Sequence, residues 1–270
     1  MIASNDNPFE ALEILDKYTR NLKMPGSLIY HYTTKSSAES IKSMINQKVL
    51  NFWHMKHEYD AHEHTVEEID SFYFEAINRI SGQFSPEIIS KLRHIKVDNL
   101  YYFFSYHTTK DIGEAYICSF STKRDDKTLW ERFNKDGSEM EMLALYLTDY
   151  LAETNRSFKE EYRHYVLKII YDDEEKVGFI VSFLIELLNC KNLDGFSYCV
   201  RSFLNVCHYI FKPVKYSDES EVRSIIILKK HRSELWEAES NARGEPVHFP
   251  LIIDSADYAE KYSIKKFFNS

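Results

Sequence analysis

Apolar positions along the chain alternate between two spacings. Over residues 7–22 they recur every three or four positions, which predicts a short amphipathic helix with Pro8 in its first turn and Asp6 or Asn7 as cap. After the turn MPGS (24–27), the run SLIYHYTT (27–34) is apolar, β-branched and aromatic, as a buried strand requires. Thr33 or Thr34 then caps a helix to about Gln47, with Ile41, Met44 and Ile45 on one face, and VLNFW (49–53) reads as a second strand. Residues 57–82 begin charged and become helical, with Ile69, Phe72, Phe74, Ile77 and Ile80 pointing inward. Pro86 opens another helix to about His94.

In the second half YYFFSYH (101–107) reads as a strand or buried helix end, TTKDIGEAY (108–116) as a loop or short helix, and YICSFST (116–122) as a strand. DDKTLWERF (125–133) is a short helix capped by an aspartate, NKDGSE a tight turn, and EMLALYL a strand or the start of a helix. RHYVLKIIYD (163–172), EVRSIIILKK (221–230) and PVHFPLIID (246–254) are strands. Helices are expected at about 173–190 and 195–210, and over the terminal SADYAEKYSIKKFF. Strands and helices do not follow a βαβ rhythm. The expected class is therefore α+β, a mixed or antiparallel central sheet with flanking helices. We read residues 1–270 as one domain with a helical insert at about 57–97.

Composition narrows the function classes. Only 7 of the 270 residues are glycine, and neither GxGxxG nor GxxxxGK[ST] occurs, so Rossmann and P-loop nucleotide sites lose their main support. The formal net charge of −8 does not favour broad attraction to nucleic acid or an anionic membrane. A local basic run at Lys229, Lys230, His231 and Arg232 reads first as a solvated strand end. Cys118, Cys190, Cys199 and Cys207 form no CxxC pair and lie in apolar surroundings, which predicts reduced, buried thiols and a cytoplasmic setting. No stretch is apolar enough to predict a membrane span or a secretion signal.

Four constellations carry candidate chemistry. His31 and Thr33 alternate with Tyr32 along the opening strand, so His31 and Thr33 share one face and Tyr32 takes the other. A histidine there can donate to a ribose hydroxyl or act as a general base; its bland role is a hydrogen-bonded core histidine. In CSFSTKRDDKTLWERF (118–133), Ser119, Ser121 and Thr122 can brace a strand edge, and Trp130 reads as core with its N–H satisfied. Glu219, Glu221 and Arg223 are expected on one face of a strand entering the apolar SIIIL, either as a site or as an exposed ion pair. HEYDAHEH (57–64) holds His57, Asp60, His62, Glu63 and His64, which suit a metal by type but not by spacing, since HExxH would need histidine where Ala61 stands. No metal is expected.

Taken in order, these pieces resemble the bacterial domain-of-unknown-function 2971 family. LIYHYTT matches its YHYT strand, and Asp60-x-x-Glu63 its short LNDxxE-like element. SFSTKRDDKTLWERFNKDGSEM matches the mid-chain CFS…D…LW block with its following glycine, Gly137. KPVKYSDESEVRSIIIL matches the late K…F..E.E.R strand. The resemblance covers about residues 28–230. The family's pattern is in turn similar to that of the ADP-ribosyltransferase superfamily.

That similarity implies an NAD-dependent ADP-ribosyltransferase or NAD glycohydrolase, as a toxin or anti-phage defence effector. It implies that His31 contacts the nicotinamide ribose, that Tyr32 and Thr33 frame the cofactor, and that Ser121 and Thr122 brace the site. Glu221 would be catalytic, Glu219 would position a protein or nucleic-acid acceptor, and Arg223 would hold a phosphate. Developing positive charge on the sugar would be met by a carboxylate. Two alternatives stand beside it. One is a non-catalytic sensor binding a nucleotide, a protein partner or a second copy of itself; the other is a metal-dependent hydrolase or nuclease using His57–His64.

Overall fold

The computed structural model describes residues 10–21, 28–46, 49–54, 66–95, 113–134, 137–146, 162–190, 195–229, 239–240, 246–252 and 265–268. In chain order these form α1 (Glu10–Asn21), β1 (Leu28–Thr34), α2 (Lys35–Asn46), β2 (Val49–His54), α3 (Val66–Ile80), α4 (Pro86–Arg93), β3 (Gly113–Ser121), α5 (Lys127–Phe133) and β4 (Met140–Tyr146). There follow β5 (Tyr162–Lys168), α6 (Asp173–Leu188), α7 (Phe196–Ile210), a 3-10 helix (Val214–Glu219), β6 (Glu221–Lys229), β7 (Glu239–Ser240), β8 (Pro246–Ile252) and β9 (Lys265–Phe268). The class is α+β. The sheet has nine strands among the described residues, and every ladder in it is antiparallel.

β3 organises this sheet. Along one edge it pairs with β6 from Gly113↔Lys229 to Ser121↔Glu221. Its other edge is shared, with β2 meeting it at Ile117↔Trp53 and β1 at Ser121↔Tyr30. The sheet therefore forks there, into one arm of β2, β8 and β7 and another of β1, β4 and β9.

Side-chain alternation gives the sheet two distinct faces. Directly paired residues share a face, so Tyr30, Ser121 and Glu221 lie on one side, together with Tyr32, Ser119 and Arg223. On that side Ile117, Leu167 and Ile225 join the main core, built with α1, α3, α4, α6 and α7. Within it the rings of Phe183 and Phe203 stack at 3.8 Å, and Tyr18 meets both edge-on, as aromatic quadrupoles prefer. Ile69, Ile77 and Ile80 of α3 are fully buried in this core, while Phe72 and Phe74 pack at its margin. The segment expected as an insert thus contributes directly to the central packing. A smaller cluster on the same side of the fork joins Tyr30 and Tyr32 to Met142, Ala144 and Leu129 of α5.

Helix ends follow the sequence chemistry. Asp126 caps α5 by accepting from the N–H groups of Thr128 (2.9 Å) and Leu129 (3.2 Å). Ser85 and Pro86 start α4, and Asp172 caps α6, whose first turn holds Asp173, Glu174 and Glu175 at the positive end of the helix dipole. Thr34 accepts from the Ser37 N–H at the start of α2.

Two expectations are corrected. Gly113, Glu114 and Ala115, expected as loop or short helix, already belong to β3. Lys265–Phe268, expected as helical, pairs as a strand with β4. The YYFFSYH run (101–107) and the His57–His64 cluster lie outside the described residues. All four cysteines are buried thiols outside any disulfide, as expected.

Candidate functional site

The late motif and the mid-chain serines meet across one strand pair. Ser121 stands opposite Glu221 and Ser119 opposite Arg223 in the β3–β6 ladder. Glu221 and Arg223 share a face, as alternation predicts. Glu219 does not extend that strand. It ends the 3-10 helix, and Ser220 between the two glutamates takes a left-handed backbone (φ 45°). The turn brings both carboxylates to the same ammonium.

That ammonium belongs to Lys212. Its Nζ lies 2.6 Å from Glu219 Oε2 and 2.9 Å from Glu221 Oε2. Arg223 Nε donates to Glu221 Oε1 at 2.8 Å and Nη2 to Oε2 at 3.3 Å, while Nη1 donates to the Tyr209 carbonyl at the end of α7. Arg132 of α5 closes the outer side, with Nη1 at 3.0 Å from Glu219 Oε1 and Nη2 at 2.7 Å from Asp218 Oδ2. Three cations thus interleave with three carboxylates. Of the two readings of this motif, the exposed strand entrance with a weak ion pair does not hold: Glu221 is 4% exposed and Arg223 1%.

Hydroxyl groups fix the surrounding backbone. Ser121 donates to the Glu219 carbonyl (2.6 Å) and accepts from the Lys123 N–H (3.0 Å). The Thr122 N–H donates to the Ser220 carbonyl at 3.0 Å, although its side chain is exposed. Tyr171 accepts from the Glu221 N–H at 2.8 Å. Tyr32 donates to the Lys123 carbonyl (2.8 Å) and accepts from the Asp126 N–H (2.9 Å), so it clamps the β3–α5 loop. Trp130 is half-buried against Tyr32, and its indole N–H is satisfied by Asp125 at 2.8 Å.

Electrostatics follow from this geometry. Burial alone would raise the Glu221 carboxyl, but the charges of Arg223 and Lys212, with hydrogen bonds from Arg223 and Ser119, hold it down at about 2. Lys212 is pushed down by burial and up more strongly by Glu221 and Glu219, ending above its ordinary value. Both partners are therefore ionised together.

His31 sits elsewhere. Tyr30 shares the face of Ser121 and Glu221, so His31 and Thr33 lie on the opposite face of the sheet, and the His31 ring meets Phe120 edge-on at 5.8 Å. Its Nδ1 is 2.9 Å from the Ser119 carbonyl, which falls in the fork between the β2 and β1 pairings. A carbonyl only accepts, so Nδ1 carries the proton and Nε2 keeps its lone pair. Burial lowers the ring's pKa against the pull of that hydrogen bond, favouring neutral imidazole. Ser119 links the two positions, its carbonyl facing His31 and its hydroxyl bonding Glu221.

The fold thus brings together Glu219, Glu221, Arg223, Ser121 and Thr122, with Tyr32 on the same face. It does not bring His31 or Thr33 to Glu221. Lys212, Arg132 and Asp218 were missed by sequence reasoning. Lys212 does stand at the head of the late KPVKYSDESEVR segment, directly after the apolar run Tyr209-Ile210-Phe211. Among the described residues no group of three or more His, Cys, Asp or Glu side chains could hold a metal, and no helix is long and apolar enough to cross a membrane. Compared with known protein families, curated proteins and solved structures, the chain finds no match.

Proposed function

We propose that the chain is a recognition module that binds an anionic ligand or partner without transforming it, and that Glu221 is an internal counter-charge. One observation carries this reading: both oxygens of the buried Glu221 carboxylate are already held by Arg223 and Lys212. A carboxylate meant to meet developing positive charge on a substrate must be able to approach it. This one has two permanent cations in the way. The test is incubation with NAD, a nucleotide the motifs bring to mind. Binding without release of nicotinamide is expected. Nicotinamide release that disappears in a folded Glu221→Gln variant would overturn the reading.

A second reading rests on a specific observation. Ser121 stands opposite Glu221 on adjacent strands, so the serine-bearing strand lies beside the late glutamate, the two elements that the resemblance to ADP-ribosyltransferases calls for. In that case Glu221 would stabilise positive charge on the ribose, Glu219 would position the acceptor, and Arg223 would hold a phosphate. His31 would act on the site only through Ser119. Release of nicotinamide separates this reading from the first.

A further inference from the structure

The network has an inner and an outer half. Arg223, Glu221 and Lys212 are enclosed, whereas the Arg132 and Asp218 side chains keep 28% and 32% exposure. We propose that Arg132 and Lys212 form a binding site for an oxyanion of the phosphate class, for which the carboxylates of Asp218 and Glu219 stand in from within the chain. The inference rests on the recognition-module reading and names its ligand.

Three features support it. The Arg132 guanidinium offers one N–H to each of two carboxylate oxygens from adjacent residues, at 3.0 and 2.7 Å. The same planar fork takes two oxygens of a single phosphate. Lys212 approaches the other oxygen of Glu219 at 2.6 Å, so the two cations converge on one anionic group.

The Asp218 carboxylate is also poorly seated. Its Oδ2 pairs with Arg132, but its Oδ1 is buried with no hydrogen-bond partner among the described residues. A desolvated acceptor without a donor is costly, so a better-matched anion can displace this side chain. The stand-ins come from a 3-10 helix, a fold of poorer hydrogen-bond geometry than an α-helix, whose Val214 is 57% exposed.

Local charge agrees. Arg132, Lys212 and Lys215 all lie within 5.0–5.6 Å of the Tyr216 ring centre. With Arg223 they outnumber the carboxylates of Asp218, Glu219 and Glu221, in a chain whose formal net charge is −8. An anion arriving from solvent meets the Asp218 end first.

The test is calorimetric titration of the full chain with pyrophosphate, ADP and adenosine. Asp218→Asn removes the competing charge while keeping the shape and should tighten pyrophosphate and ADP by about two- to fivefold, the scale of a partly exposed ion pair. Arg132→Gln should abolish both, and Lys127→Gln, on the exposed side of α5, should change neither. Circular dichroism establishes that each variant is folded, and Arg132→Lys serves if Arg132→Gln is not. Equal binding of pyrophosphate and ADP marks a free-phosphate site; ADP alone marks a nucleotide site. Binding of adenosine as tight as ADP would overturn the oxyanion assignment. ADP binding by wild type that neither Asp218→Asn nor Arg132→Gln alters would overturn this site and leave the module reading standing. No binding of any anion, to wild type or to Asp218→Asn, would overturn both.

Discussion

Replacing Lys212 by methionine tests the ion network at its centre. Methionine keeps the unbranched apolar stem up to the position of Cε and removes the ammonium shared by Glu219 and Glu221. Glu221 retains Arg223, and Glu219 retains Arg132 on its other oxygen, so neither carboxylate is wholly abandoned. Leaving a buried charge without its partner costs about 3–5 kcal/mol, and the remaining arginines place the expected loss near the lower end, about 3 kcal/mol. For a chain of this size that lowers the melting temperature by about 6–12 °C. Calorimetry at pH 7 reads it directly. The loss should shrink toward pH 4, because protonation neutralises a carboxylate that has lost its cation. Adding Glu219→Gln to Lys212→Met should restore at least about 1 kcal/mol by removing the uncompensated charge. A single variant melting within about 2 °C of wild type would refute the reasoning.

Three further outcomes follow from particular contacts. Tyr32→Phe removes the hydroxyl serving both Lys123 and Asp126 and should cost about 1–3 kcal/mol, read by urea unfolding; an unchanged midpoint would mean the β3–α5 loop is held otherwise. Ser220→Gly should be neutral or stabilising by up to about 1 kcal/mol, because glycine adopts φ 45° freely, whereas Ser220→Val should destabilise; the opposite order would contradict the turn between the glutamates. Phe203→Ala should cost about 3–5 kcal/mol, since the ring stacks on Phe183 and meets Tyr18, and a loss under about 1 kcal/mol would place the core elsewhere.

Much of the fold was legible because local signals agreed with tertiary need. The strand from Glu221 to Lys229 and the helices after Asp172 and Gly195 begin within a residue or two of where apolar spacing and caps place them. The capping role of Asp126 and the satisfied indole of Trp130 were also readable. Non-local pairing was not. Lys265–Phe268 is a strand because β4 offers it an edge, a contact no local periodicity encodes. The same limit hid the network. Glu219 and Glu221 look like neighbours on a strand until a left-handed serine turns one into the 3-10 helix. Arg132 lies on a short helix, and only the fold sets it beside Asp218, 86 residues along the chain. His31 and Glu221 each stood out on apolar strands. Their separation follows from one pairing, Tyr30 with Ser121, that a sequence does not display.

The central claim is that Glu221 is an ionised carboxylate permanently engaged inside the protein. Its folded value of about 2 lies below the ordinary 4.5, so its stabilisation is present above pH 4.5 and is lost as pH falls toward 2. The shift corresponds to stability on the order of 3 kcal/mol. The decisive measurement is a carbon-13 titration of the Glu221 side-chain carboxyl in the full chain, assigned by comparison with Glu221→Gln. The account predicts no midpoint above about pH 3 while the protein stays folded. A midpoint at or above 4.5 in the folded chain would contradict it, and would return Glu221 to the ranks of carboxylates free to do chemistry.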